Sequence, residues 1–184
     1  MQFDSIASIR QAGFTGFQTV AELQATKCNA IPKERGVYIF VRDTVEPPTF
    51  LETSSGGRFK GRNPAVEIPT LQANWVEGAK VVYIGKAGSL TGRATLRSRL
   101  WQYMRFGMGD PVGHWGGRYI WQLADAATLL VCWKATPTEE PGGIESGLIQ
   151  EFKRRHNGKC PFANIAKCKD KKPSARDLRK NLNL

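Results

Sequence analysis

Two short β-rich runs constrain this chain more than any other feature: Gly36-Val37-Tyr38-Ile39-Phe40-Val41 and Lys80-Val81-Val82-Tyr83-Ile84-Gly85. Both read as strands, rich in valine, isoleucine and aromatic residues, and Pro32 precedes the first. Residues 43–79 between them hold Pro47, Pro48, Gly56, Gly57, Gly61, Pro64 and Pro69 with few periodic apolar positions. That stretch is expected to be an insertion or long loop, and loops of this length are often functional or mobile. After a turn containing Gly88 and Gly92, residues 93–106 read as a helix and Gly107–Gly117 as a glycine-rich loop. The segment 118–127 is ambiguous, and 128–134 is a third strand. Pro141 suits the first turn of a helix running to about His156.

Residues 2–27 read as one or two short helices, with Val20 and Leu23 at helical spacing. The order strand, insertion, strand, helix, strand, helix implies an α/β fold. It would be a small sandwich with a short, mostly antiparallel three-stranded sheet flanked by helices. Residues 1–34 are expected to form an N-terminal helical extension, 35–166 the main domain with its insertion at about 43–79, and 167–184 a basic C-terminal tail.

The 184 residues suffice for one domain with a real core. There are 27 lysines and arginines against 16 acidic residues, a formal charge of +11. An excess of that size in a small domain favours polyanionic partners. No run of 18 apolar residues exists, which excludes a membrane-spanning helix. The N-terminus does not resemble a secretion signal, so a cytoplasmic location is expected. Cys28, Cys132, Cys160 and Cys168 form no Cys-x-x-Cys pair, and His114 and His156 stand at no zinc-ligand spacing. The expectation is free thiols, with Cys132 in the core.

Two ionisable residues sit on faces that should be apolar. At about 100° per residue, Ile144, Leu148, Ile149 and Phe152 form one stripe, and Glu145 projects into its middle. A carboxylate there is costly unless a cation, metal or hydrogen bonds compensate. On the helix 93–106, Leu96, Leu100, Tyr103 and Phe106 share a face, and Arg99 projects between Tyr103 and Phe106. The two charges can pair with each other, or hold a phosphate and its metal between them.

Gly36-Val37-Tyr38 and Tyr83-Ile84-Gly85 resemble the two strand motifs of the GIY-YIG nucleases, with valine replacing isoleucine in the first. Lys86-Ala87 after the second motif is also typical of that family. Leu96-Arg97-Ser98-Arg99-Leu100-Trp101-Gln102-Tyr103 resembles the helix carrying its catalytic arginine, which maps to Arg99, with Tyr103 one turn later. Glu145-Ser146-Gly147-Leu148-Ile149 resembles the helix with the metal-binding glutamate, and Pro161-Phe162-Ala163-Asn164 the closing Pro-x-x-Asn. Asn157 is a second candidate for that asparagine. The resemblance spans about 36–164, and it departs from the family in the long insertion and in the longer turn after Lys86.

The resemblance implies an endonuclease that hydrolyses phosphodiesters in nucleic acid, with DNA as the expected partner, using one Mg²⁺ or Mn²⁺ per site held by Glu145. Arg99 would stabilise charge on the phosphoryl oxygens. Tyr38 would orient or deprotonate the attacking water and Tyr83 position water or phosphate, unless both simply pack the sheet. Lys86 would contact phosphate or lie exposed. His114 would shuttle a proton, touch DNA or be an ordinary loop histidine, and Asn164 would fix the site by hydrogen bonds. Arg58, Lys60, Arg62, Arg97, Arg118, Lys169, Lys171 and Lys172 suit phosphate contacts. A noncatalytic nucleic-acid-binding module with the same fold is the alternative. Cutting both strands would require a dimer or two successive nicks.

Overall fold

A strand apolar at successive positions must be covered on both faces, and Gly36–Val41 is buried at all six positions. The computed structural model describes residue 3 and residues 5–165. In chain order these form α1 (Ile6–Gln11), β1 (Thr15–Thr19), α2 (Val20–Ala25), β2 (Gly36–Val41), α3 (Ile68–Asn74), β3 (Val81–Ala87), α4 (Leu96–Gly107), β4 (Leu130–Ala135) and α5 (Pro141–Arg155). Short 3-10 segments lie at Phe59–Gly61, Trp115–Gln122 and Ala126–Thr128. No helix of the described residues is long and apolar enough to cross a membrane.

The sheet is antiparallel throughout, in the order β1-β4-β2-β3. It therefore has four strands, not three. The additional strand, Thr15–Thr19, lies where only helices are expected from the sequence. Its residues, Thr-Gly-Phe-Gln-Thr, show no apolar alternation, and Phe17 sits at φ 54° within a bulge. It is a strand because the edge of β4 offers unpaired backbone groups, a long-range cause that local pattern does not carry.

Helices cover both faces. Tyr38, Phe40, Tyr83 and Trp133 face Leu23 of α2, Leu96, Leu100, Tyr103 and Phe106 of α4, and Trp121. Val37, Ile39, Ile84 and Cys132 face Ile9 of α1 and Ile149 and Phe152 of α5. Helix α4 begins at Leu96 because Thr95 and Ser98 form a reciprocal cap. Cys28 and Cys132 are buried free thiols, but Cys160 is disulfide-bonded, which corrects the expectation of free cysteines at that position.

The insertion leaves β2 and returns to β3 at one end of the pair, where the Arg42 amide donates to the Lys80 carbonyl. It lies against the 3-10 segment Trp115–Gln122. The buried Gln122 amide donates to the carbonyls of Leu51 (3.0 Å) and Val66 (2.9 Å) and accepts from the Val66 N–H (2.8 Å). Arg42, itself buried, pairs with Asp125 at 2.6 Å and donates to the Glu46 carbonyl. Replacing Gln122 by leucine keeps the volume but removes the partner of three part-buried backbone groups. Urea denaturation of Gln122→Leu should show a loss of about 2–3 kcal/mol; an unchanged midpoint would mean that the insertion is held by other contacts.

Candidate active site

The two tyrosine motifs are brought together by register. In the β2–β3 pair Tyr38 stands opposite Gly85, and Phe40 opposite Tyr83, so these residues share one face. Gly85 has to lack a side chain: a Cβ there would lie 2.5 Å from Cζ of Tyr38. The Tyr38 ring fills that space and lies 6.1 Å from the ring of Tyr83, centroid to centroid.

β3 is an edge strand, and Asn164 closes its open side. Its Oδ1 accepts from the Ile84 N–H at 2.9 Å and its Nδ2 donates to the Ile84 carbonyl at 2.7 Å, while the Ala163 N–H donates to the Val82 carbonyl at 2.9 Å. Both neighbours of Tyr83 are thereby fixed, which satisfies the edge and holds the phenol in place. Asn157, the second candidate for this role, sits at φ 51° just beyond the end of α5.

Arg99 arrives on the second turn of α4 and Glu145 on the second turn of α5. Glu145 is 6% exposed beside Ile149 and Phe152, as its place in the apolar stripe predicts. Arg99 is half-buried, and its Nη1 donates to Oε1 of Gln102 at 2.6 Å and to the Gly113 carbonyl at 3.2 Å. Both charges act on both phenols. Burial pushes Tyr38 up to about 12, the Arg99 charge pulls it down and the Glu145 charge raises it. Burial also pushes Tyr83 well above its ordinary value, with Tyr38 raising it further, Arg99 opposing and Glu145 adding. Tyr38, Tyr83, Arg99 and Glu145 therefore form one electrostatic neighbourhood.

Tyr103 and His114 form the wall of this group. The Tyr103 hydroxyl donates to the Gly117 carbonyl at 2.5 Å. Gly117 is forced to be glycine, since a Cβ would collide with that hydroxyl and crowd the Tyr83 ring. The His114 imidazole stacks on Tyr103 with centroids 3.7 Å apart and planes 7° apart, and lies 6.4 Å from the Tyr83 ring. It is 1% exposed, and neither ring nitrogen has a hydrogen-bond partner among the described residues. The glycine-rich sequence around it reads as an exposed loop. Its burial comes from Tyr103, fourteen positions from Gly117 in the chain, and the only sequence signal is the pair of tryptophans and the tyrosine that follow it.

The remaining candidates divide. Lys86 donates to the Gly88 carbonyl at 3.0 Å and lies 3.9 Å from Glu140, whose carboxylate caps α5 through the Gly142 N–H and holds the Leu90 N–H. Those hydrogen bonds, from Leu90 first and then Gly142, lower the Glu140 pKa. Arg97 is committed to structure, donating to the carbonyls of Ile31 (2.7 Å) and Asn29 (2.6 Å). Arg62 and Arg118 both place their guanidinium carbons 4.8 Å from the Trp115 ring, next in sequence to His114. Neither is paired with a carboxylate among the described residues. Burial lowers the Arg118 pKa, and the Arg62 charge adds to that lowering. Arg58 and Lys60 are exposed beside Phe59, whose ring abuts Gly113. Lys169, Lys171 and Lys172 lie outside the described residues.

Among the described residues no three His, Cys, Asp or Glu side chains gather as a metal cage. Glu145 alone in this group could ligate a cation, and a single carboxylate suits only an ion that keeps most of its shell as water and other ligands, the usual habit of Mg²⁺. The chain matches no family model, no curated protein and no solved structure.

Burial, with the Arg99 charge adding, holds the His114 pKa well below its ordinary 6.5. Below pH 6.5 the unfolded chain binds a proton at this position that the folded chain refuses, so stability is full above that value and falls as pH falls through it. Chemical denaturation across this range should show that loss in the wild type and much less of it in His114→Phe. His156, shifted the same way but more exposed, leaves a small residual slope. Equal slopes in the two proteins would contradict the burial of a neutral imidazole.

Proposed function

We propose that this chain is a GIY-YIG-type endonuclease that hydrolyses phosphodiester bonds in DNA, one strand per site. The observation that carries the reading is the convergence of Tyr38, Tyr83, Arg99 and Glu145, four residues singled out from sequence, the last two also by their place in an apolar stripe, and drawn from four different elements. A guanidinium beside two phenols is suited to a phosphoryl group, because its planar fork matches the charge that builds on nonbridging oxygens.

Glu145 is the residue that would hold a divalent ion here. When bound, Mg²⁺ or Mn²⁺ polarises the phosphate and favours departure of the leaving oxygen. Arg99, anchored by Gln102 and the Gly113 carbonyl, presents its remaining donors to the phosphate. Tyr38 remains a protonated phenol at neutral pH and orients the attacking water by hydrogen bonding rather than by ionising beforehand. Tyr83 fixes the opposite side, held by Asn164 and walled by Tyr103. Arg58, Lys60, Arg62 and Arg118 receive flanking phosphates. A cytoplasmic location is part of this proposal, and there the Cys160 disulfide would face reducing conditions.

The test is cleavage of supercoiled plasmid with and without Mg²⁺ by wild type, Glu145→Ala and Arg99→Ala. Metal-dependent nicking by wild type is expected, with each substitution slowing it by roughly 10²- to 10³-fold. Undiminished cutting by Glu145→Ala removes its assigned role, and binding without any cutting by wild type makes the chain a noncatalytic module. A second measurement addresses the basic surface. In Arg62→Gln/Arg118→Gln, DNA affinity should fall and the slope of log K against log salt should flatten by about 2, the loss of two phosphate contacts.

A further inference from the structure

The insertion and the main domain meet around a cavity of about 430 Å³ that the mechanism above leaves unused. α3 of the insertion forms one side of it, Tyr119 of the 3-10 segment another, and Lys153 of α5 with the segment 158–165 the rest. Tyr119, Phe162 and Ile165 supply an apolar wall, and Lys153 and Lys159 supply charge. No acidic side chain is among the described residues that line it, and neither lysine is paired with a carboxylate among the described residues. Asn74 and Lys159 are exposed, so the cavity opens to solvent. The Asn74 Nδ2 donates to the Thr70 carbonyl at 2.7 Å, which leaves its Oδ1 as an acceptor.

Two unpaired cations beside an apolar wall suit a ligand that is anionic at one end and flat and apolar at the other. The volume falls in the roughly 300–1,000 Å³ range of sites that enclose an organic ligand, more than an inorganic anion fills. A nucleotide has this make-up, with a phosphate for the ammonium groups and a base for the aromatic side. We propose, resting on the nuclease reading for the identity of the polyanion, that this cavity takes one unpaired nucleotide of the substrate strand: its phosphate sits on Lys153 and Lys159, and its base packs against Tyr119, Phe162 and Ile165.

Pairing and stacking keep the bases of an intact duplex inside the helix. The substrate class is therefore DNA with a single-stranded arm or gap beside the bond to be cut. Two contacts tie the cavity to the rest of the protein. The Arg118 guanidinium carbon lies 5.0 Å from the Tyr119 ring, so the basic surface of Arg62 and Arg118 runs on to the cavity wall. The loop 161–164, which forms another part of that wall, pins β3 on either side of Tyr83, through Ala163 to Val82 and through Asn164 to Ile84. A nucleotide seated here bears directly on the support of Tyr83. A free mononucleotide offers the same chemistry, and the measurements below separate it from a strand.

The experiment measures binding without Mg²⁺: fluorescence anisotropy with labelled oligo(dT) and with a blunt duplex of equal length, and calorimetric titration with dAMP. Ala73→Trp fills the cavity from an exposed position without changing charge. Lys153→Gln/Lys159→Gln removes the phosphate contacts, and Lys27→Gln/Lys33→Gln removes the same charge from exposed positions elsewhere. Thermal melting checks each fold, and the lysine pair decides the matter if Ala73→Trp melts early. Expected is a loss of oligo(dT) affinity of roughly 10-fold or more in Ala73→Trp and in Lys153→Gln/Lys159→Gln, with duplex affinity no lower than in Lys27→Gln/Lys33→Gln. A folded Ala73→Trp that binds oligo(dT) like wild type, or a Lys153→Gln/Lys159→Gln that matches the Lys27→Gln/Lys33→Gln control on both DNAs, overturns the proposal. Binding of dAMP that Ala73→Trp abolishes, with oligo(dT) binding unchanged, overturns the strand as occupant. None of these readouts needs cleavage. A chain that shows them and never nicks plasmid loses the nuclease reading and keeps the site, whereas one that nicks plasmid without them loses the site alone.

Discussion

The pairing of Tyr38 with Gly85 across β2 and β3 is the contact on which the site depends. Only a residue without a side chain leaves room for the phenol over the neighbouring strand. Once that ring is seated, the diagonal neighbour Tyr83 must stand about one ring away on the same face, because side chains in a sheet alternate with a period of two. The strand that carries Tyr83 is an edge, and the Asn164 side chain pairs with it as a short extra strand would. Packing on one side and hydrogen bonding on the other leave the two phenols little freedom.

The helices then add charge to an aromatic interior. Arg99 and Glu145 enter from opposite faces of the sheet on the second turns of α4 and α5. Taking a carboxylate out of water costs several kcal/mol before compensation. The same low polarity strengthens every charge interaction inside the site and holds the neighbouring phenols protonated.

The insertion contributes more than length. Gln122 fastens it to the 3-10 segment that follows His114 and carries Trp115 and Arg118, and the Arg42–Asp125 pair ties its start just beyond that segment. Arg62 thereby meets Arg118 on the Trp115 ring, and Phe59 abuts Gly113, whose carbonyl accepts from Arg99. A continuous path of contacts joins the basic surface to the guanidinium at the centre. The two arginines repel each other, and an anion placed between them relieves that repulsion.

Local pattern was enough for the central strands, the helices α4 and α5, and the places of Arg99 and Glu145, because a charge inside an apolar stripe is visible from a 3.6-residue period alone. The motif triplets likewise identified Tyr38 and Tyr83, and the closing Pro-x-x-Asn identified Asn164. Three features were invisible. Thr15–Thr19 became a strand only because β4 offered an edge, Arg97 ties down the Asn29 and Ile31 carbonyls, and His114 left an apparent glycine-rich loop for the interior. Each is decided by a partner distant in the chain, and the energy of a long-range hydrogen bond or ring stack leaves no periodicity in the residues that make it. Sequence determined which residues are the candidates for chemistry; tertiary packing decided which of them are dry, which are tied, and which stand together.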